Sequence, residues 1–546
     1  MIVQHVNIII FLSSEPGGQL GGRHGAVKDM RVRCSTVILA ASLCCSGAQR
    51  IWADDGSVVR EQIRRYRAAH EQEIVGELVD LLSIPNHASD TENIERNART
   101  IVSMMERRNV TAQLLRVSGA PPLVYGELRA PGDRPTIGIY AHYDGQPAVP
   151  AQWRHPPFRP VLIDPGSHEV DWRSRRQYEP ESRLYARSAS DDKAPIQAIL
   201  TALDALKSTG RALSVNLKLL FEGEEEINSP HLGELLSRHP EALEADVWLL
   251  SDGPIHPSRR MQVFFGVRGE IDLEMTVYAA TRALHSGHYG NWAPNPIMLL
   301  THLLDSMRSE DGQILIPHFS DDVRPLTDAE KQAVLKTPAV DEDLKHELAI
   351  ATPEGDGVPL AEQILKPALN VHGIQGGNVG AQAANIISTE AMASIDFRLV
   401  PNQTPEGVRA AVEDHIARQG FLIVHGTPDL ATRRAHPRVV TLLWGPGYPA
   451  YRAPMDSPVA RAVVRGIEQA CGSPIVELVS VGAAIPMYVF EGKHHRPVIG
   501  VPIANHDNNQ HAADENLRLQ NLWDAIDMYS VLLLGLGNDK SLETPH

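Results

Sequence analysis

The run IGIYAHYDGQP, residues 137–147, changes character halfway: an apolar stretch, then His142, Tyr143 and Asp144, then Gly145 and Pro147. An unbroken apolar run bounded by Gly and Pro reads as a strand buried on both faces, the kind found in parallel sheets. Side chains alternate along a strand, so His142 and Asp144 leave its carboxyl end on one face, where Asp144 can orient the imidazole. In α/β sheets that end is where ligand-binding loops emerge.

Two other stretches follow the same grammar. KLLFEGEEEINS (218–229) delivers Glu225 and Glu226 after an apolar strand, and VWLLSDGP (247–254) delivers Asp252. Asp191 lies in YARSASDDKA (185–194) and His511 in NQHAADEN (509–516), with His494 and His506 as rivals for the last place. Each motif alone has an ordinary explanation. The His–Asp pair could be a structural hydrogen bond, and the Asp191–Asp192 pair could cap the helix that follows. An acidic run is usually a solvated face. Directly after a buried strand, however, like charges are costly unless a cation neutralises them. Together, two histidines and three carboxylates suit a pair of zinc-like ions, with one Glu left over as a base.

Other strand-like runs are Pro122–Leu128, Thr136–Ala141, Val215–Phe221 and Val498–Val501. Helical spacing covers Glu61 to Leu82, Asn93 to Asn109, Lys193 to Lys207 and Ser457 to Ala470. This alternation predicts an α/β fold with a mostly parallel sheet covered by helices on both faces. The middle of the chain differs. Gly266–Gly269 opens an alternating strand at Ile271 to Tyr278, followed by a helix from Asn295 to Met307 and a polar, Pro-punctuated stretch to about Pro367. Strand Ala391–Leu399, helix Pro405–Arg418 and a short strand Phe421–His425 follow. That pattern is an α+β insert, placed at 267–455, between catalytic segments 54–266 and 456–546.

A chain of 546 residues is too long for one compact core. Its net charge is −16, and the first 53 residues carry five basic against two acidic side chains, so the remainder is near −19. That balance argues against nucleic acid or an anionic membrane as partner. Residues 1–53 read as an upstream extension and an export signal. Met30, read as the start, opens a basic stretch to Arg33; Val37 to Cys45 is apolar but too short to span a bilayer, and Ala53 precedes an acidic pair. Lipid attachment at Cys44 or Cys45 is disfavoured by the bulky Leu43. The expectation is a periplasmic or extracellular protein with no stable membrane span after cleavage. Only Cys471 would then remain, which excludes an intramolecular disulfide or a thiolate metal site.

With these motifs in order, the chain resembles the dinuclear zinc peptidases and deacylases: carnosine dipeptidases, glutamate carboxypeptidase, aminoacylase, acetylornithine deacetylase and succinyl-diaminopimelate desuccinylase. The dipeptidase branch is most similar, through HYDGQP with Trp153, FEGEEEINSPHL, LLSDGP, ALHSGHYG and DFRLVPNQTPE. The likeness extends from about residue 58 to 537. It implies a metallohydrolase domain interrupted by a lid and dimerisation domain. It also implies that Asp191 bridges two divalent ions, zinc first with manganese or cobalt as alternatives, and that the Asp191–Asp192 peptide is cis. One ion would take Asp191, Glu226 and His511; the other, Asp191, His142 and Asp252. Glu225 matches the general base, with Asp144 supporting it. His285 and Arg398 match lid residues that hold the substrate carbonyl and carboxylate, the histidine reaching the partner subunit's site of a homodimer.

On this resemblance, a water bridging the metals loses its proton to Glu225 and attacks the amide of a small peptide with a free carboxylate. Arg398 suits that carboxylate because a guanidinium grips it with two parallel hydrogen bonds. Several positions depart from the family pattern. Ala186 and Ser188 replace glycines before Asp191, Ala194 replaces one after Lys193, and Asn228 stands where Gly is usual, a residue that still tolerates left-handed backbone. The Gly-Gly-Ser substrate loop reads Gly482, Ala483, Ala484, which removes a hydroxyl. Two rival functions stay open: an N-acyl amino acid deacylase using the same machinery, and an exported peptide-binding protein with little turnover. Retention of Glu225 argues against the binder.

Overall fold

The computed structural model describes residues 58–483, 485–492 and 495–542. The expected extension and export segment at 1–53 lies outside the described residues, as do Ala484 and His494.

The larger sheet has eight strands. In spatial order they are Thr111–Leu115, Leu123–Leu128, Asn216–Glu222, Thr136–His142, Val247–Leu250, Val498–Gly500, Gln262–Phe264 and Val476–Leu478. The four central strands, from Asn216–Glu222 to Val498–Gly500, run parallel to one another. Antiparallel pairing is confined to the flanks. Ile137 to His142, Leu217 to Glu222 and Val247 to Leu250 are buried at every residue rather than at alternate ones. Consecutive burial means that both faces of these strands are covered, as expected for the parallel core of an α/β fold. Helix Lys193–Ser208 is buried from Lys193 through Leu203 with no exposed stripe. It lies among helices Glu71–Leu82 and Leu519–Gly535.

The inserted α+β domain carries its own sheet of five strands, in the order Ala368–Gln375, Glu390–Leu399, Gly269–Tyr278, Val439–Trp444 and Leu422–Val424. Here burial alternates: along Gly269–Tyr278 every second residue is buried. One face therefore packs, against helices Pro296–Met307 and Pro405–Arg418, and the other is wetter. The chain enters and leaves through a narrow neck in which Gly266 and Val267 pair antiparallel with Arg452 and Tyr451. A Cβ at Gly266 would lie 2.6 Å from the Tyr451 carbonyl oxygen, and one at Gly269 2.4 Å from that of Tyr448. Both glycines are required by this close approach.

Several elements differ from the sequence expectation. The helix over Glu61 to Leu82 is two helices, 58–69 and Glu71–Leu82. The break falls at His70, whose ring stacks on Tyr66 at 4.1 Å and whose Nδ1 lies 2.7 Å from the Tyr66 carbonyl oxygen. That side-chain contact competes with the helical pattern. The polar stretch before Pro367 holds helices Asp328–Lys336, Asp341–Glu347 and Leu360–Gln363. Although this stretch lies within the insert in sequence, Ala333 and Leu365 are buried in the core of the larger domain. Glu330, also buried, pairs with Arg324 at 2.7 Å and with Arg452 of the neck at 3.4 Å. The stretch thus acts as a strap tying the insert back to the main body.

Candidate metal centre

Three neighbouring parallel strands deliver the site. His142 is the last residue of Thr136–His142, Asp252 stands two residues past Leu250, and Glu225 and Glu226 follow Glu222 on a single tight turn. Asn228 closes that turn in the left-handed conformation, at φ 67°. Asp191 and Asp192 are joined by a cis peptide bond at the entrance to helix Lys193–Ser208. His511 projects from the loop before strand Asn516–Arg518.

Asp191 stands between the two histidines. Its Oδ1 is 2.9 Å from His142 Nε2, and its Oδ2 is 3.0 Å from His511 Nε2. His511 Nε2 also lies 3.1 Å from Glu226 Oε2. Two donor groups result, each compact enough for one ion: Asp191, Glu226 and His511; and His142, Asp192 and Asp252. Glu225 Oε2 is 4.0 Å from His142 Nε2, at the edge of the cluster. Asp144 serves from beneath. Its Oδ1 is 3.3 Å from His142 Nδ1, and its two oxygens accept the backbone N–H groups of Glu225 and Glu226, each at 3.1 Å. One carboxylate thereby orients the imidazole and fixes the glutamate turn.

The electrostatics of this cluster are those of too many acids in too little water. Burial, reinforced by the neighbouring carboxylates, pushes Asp252 up to about 7 and holds Glu225 well above the usual carboxylate range. Hydrogen bonds that it donates to Asp191 and Glu226 raise His511 to about 10. Burial works against the charged form of His142, yet its hydrogen bonds to Asp144 and Asp191 carry it well above an ordinary imidazole. Asp192 Oδ1 is a buried oxygen that receives no hydrogen bond. A divalent cation answers each of these demands: it neutralises the acids and accepts exactly such N and O donors at short range. The residues therefore fit the group that the sequence implies.

The sequence reading overlooked three residues. Asp192, which the sequence offers only as a helix cap, accepts the His142 N–H through its Oδ2 at 3.1 Å, and its carboxylate joins His142 and Asp252. Gln146 grips Glu226 twice, through its backbone N–H at 3.2 Å and its side-chain Nε2 at 2.9 Å. Glu515 holds the Asp191 loop. Gln146 and Glu515 both lie inside the motifs HYDGQP and NQHAADEN, which mark their positions but not their contacts.

His285 and Arg398 stand apart on the inserted domain. His285 is exposed; its Nδ1 accepts the Gly287 N–H at 3.1 Å and its ring lies 4.5 Å from that of His288. Arg398 pairs with Glu270 at 2.7 Å and Asp396 at 3.0 Å. Among the described residues neither forms a hydrogen bond or ion pair with the metal-site cluster.

Comparison with known proteins agrees with this geometry. Residues 265–421 match the family model described as a peptidase dimerisation domain. The chain is 27% identical over 477 residues to the Cys-Gly metallodipeptidase dug1 of Schizosaccharomyces pombe, covering 84% of this chain and 94% of that one. It is 24% identical over 511 residues to the Beta-Ala-His dipeptidase of Mus musculus, covering 88% and 96%. The crystal structure of an M20 family metallo-carboxypeptidase from Sulfolobus solfataricus superposes with a TM-score of 0.71 at 28% identity, over 85% of this chain and 99% of that one. Fold and site together are those of a metallopeptidase. The chain is similar to M20 family peptidases along most of its length, and the stretch that matches the dimerisation domain is the one inserted in its α/β body.

One expectation is corrected by these matches. The yeast and mammalian dipeptidases that the chain resembles lend no support to an exported protein, and residues 1–53 lie outside the described residues. The reading of a cleaved signal and a periplasmic or extracellular location is withdrawn. No helix among the described residues is long and apolar enough to cross a membrane.

Proposed function

We propose that this protein hydrolyses the amide bond of a dipeptide or similarly small peptide carrying a free carboxylate, with two divalent ions, zinc first, held by His142, Asp191, Glu226, Asp252 and His511. The observation that carries this reading is the placement of Asp191, one carboxylate touching both histidines from opposite oxygens, with Glu225 at the cluster's edge. The relatives' names, Cys-Gly and Beta-Ala-His dipeptidases, support the substrate class. When bound, the ions supply Lewis acidity, which acidifies a water and polarises a carbonyl.

The chain's own residues account for the rest. Glu225 takes the proton of the attacking water and hands it to the departing amine nitrogen, a base on the first leg and an acid on the second. Asp144 keeps Glu225 in place through its backbone N–H and keeps the His142 ring turned toward Asp191. Arg398, oriented by Glu270 and Asp396, receives the substrate carboxylate. The insert, 267–455, is the dimerisation unit, and the exposed His285 reaches the carbonyl in the partner subunit's site. Exposed Trp292, Met298, Ile374 and Val379, all on the insert, support a covered face there.

The test is turnover on a panel of dipeptides and N-acyl amino acids after reconstitution with zinc, manganese or cobalt. The expected result is dipeptide cleavage. Preference for N-acyl substrates would make the chain a deacylase, and binding without cleavage would make it a peptide-binding protein. Glu225→Gln should keep metal and substrate binding while turnover falls by about 10²–10⁴-fold. Near-normal turnover in that variant would move the base to another residue, Glu224 first.

A further inference from the structure

The loop that carries Asp191 has an unusual anchor. Glu515 is fully buried, and its two carboxylate oxygens accept five hydrogen bonds. Oε2 receives Arg187 Nη1 and the Ser188 N–H, both at 2.9 Å. Oε1 receives the Ser190 N–H, the Ser190 hydroxyl and the Asp191 N–H, each at 3.0 Å. The backbone adds a sixth link, with Ala186 N–H donating to the Glu515 carbonyl at 3.1 Å. Every side-chain bond is one that Glu515 accepts, which only a carboxylate can do at both ends.

Geometry links this anchor to both sides of the site. Glu515 stands four residues after His511, on the same loop. Arg187, itself buried, donates to Glu515 and to the Ala512 carbonyl at 3.3 Å, and lies 5.1 Å over the Trp153 ring. The loop bearing one histidine and the loop bearing the shared aspartate are thus bound chiefly through the Glu515 carboxylate, with Arg187 adding a second link. A carboxylate taken fully out of water is costly unless its lone pairs are met, and here all the donors that meet it come from the Arg187–Asp191 loop.

We propose that Glu515 is a positioning residue that presets Asp191 between His142 and His511, fixing the spacing of the two ions before either binds. This rests on the two-ion reading given above. Glu515→Gln is the direct test: an amide would place an NH₂ against backbone N–H or guanidinium donors on one side. Zinc affinity is measured by competition with a chromophoric chelator, and thermal stability is recorded with and without zinc. The expected result is a folded variant whose zinc affinity falls by about 10–100-fold, with a smaller zinc-induced rise in Tm than wild type shows. A purely structural role would lower the Tm of the metal-free protein and leave affinity and the zinc-induced rise unchanged, which overturns the proposal.

Ser190→Ala keeps the test decisive if Glu515→Gln does not fold, since it removes one of the five donors and little else. A fall in zinc affinity of several-fold supports the proposal, and wild-type affinity overturns it. Failure of the wild-type protein itself to bind two zinc ions would overturn the two-ion reading, and this proposal with it. Wild-type binding with an unaffected Glu515→Gln would overturn this proposal alone.

Discussion

In the proposed centre Asp191 faces two cations from one carboxylate, and its contacts with both histidines suit that role. Burial opposes its charged form, yet hydrogen bonds from His142 and His511 hold it below the ordinary carboxylate range. Each other proposed ligand serves one ion, so substitutions should differ in what they remove. Asp191→Ala is expected to retain fewer than one ion per chain after desalting, whereas Asp252→Ala and Glu226→Ala each lose chiefly one, as elemental analysis would read. Two ions retained by Asp191→Ala would sink the shared-ligand assignment. The ligand types were legible in the sequence because histidine and carboxylate at strand ends are what such an ion needs. The supports were not. Asp192 enters through its contact with the His142 backbone N–H, 50 positions away, and Glu515 through contacts with residues more than 300 positions away, neither of which any local pattern encodes.

At the scale of elements, the strand Asn216–Glu222 carries an acid where a parallel sheet is driest. Burial pushes Glu222 from 4.5 up to about 8, and Tyr140 donates its hydroxyl to Glu222 Oε2 at 2.7 Å. A carboxyl raised in the folded state keeps its proton there but releases it on unfolding. The native state then binds more protons than the unfolded one, and stability falls as pH rises from about 4.5 to 8. Glu222→Gln should remove this dependence. Thermal melts of the chelated proteins between pH 5 and 8 should show a slope flatter than wild type by up to about 1.4 kcal/mol per pH unit. An unchanged slope would mean that Glu222 is already ionised in the fold.

The central strands were legible because their apolar runs are continuous and end in polar ligands. Helix Leu519–Gly535 is buried nearly all round, so it shows no amphipathic stripe for periodicity to find. Strand Ala368–Gln375 is a largely exposed edge with a bulge between Val371 and Gly373, which breaks the alternation that marks a strand.

At the scale of the whole molecule, what stays unmatched within one chain is the inserted domain. The strap anchored by Glu330 and Leu365 ties it to the main body, yet His285, Trp292 and Val379 are exposed on it. Exposed apolar groups rimmed by polar ones mark a protein interface, and a two-fold axis would apply the same patch to both copies. If His285 then serves the partner's site, two individually inactive variants can rescue one another. His285→Ala supplies an intact Glu225, and Glu225→Gln supplies an intact His285, so a mixed dimer holds one complete site and one with both defects. Equal amounts, dissociated and re-associated at random, should recover about a quarter of wild-type specific activity by site counting. Subunit exchange is checked independently with two different affinity tags. Full activity in a wild-type protein that sediments as a monomer, or proven exchange without recovery, would exclude a shared site and leave His285 to act on its own chain through closure of the insert.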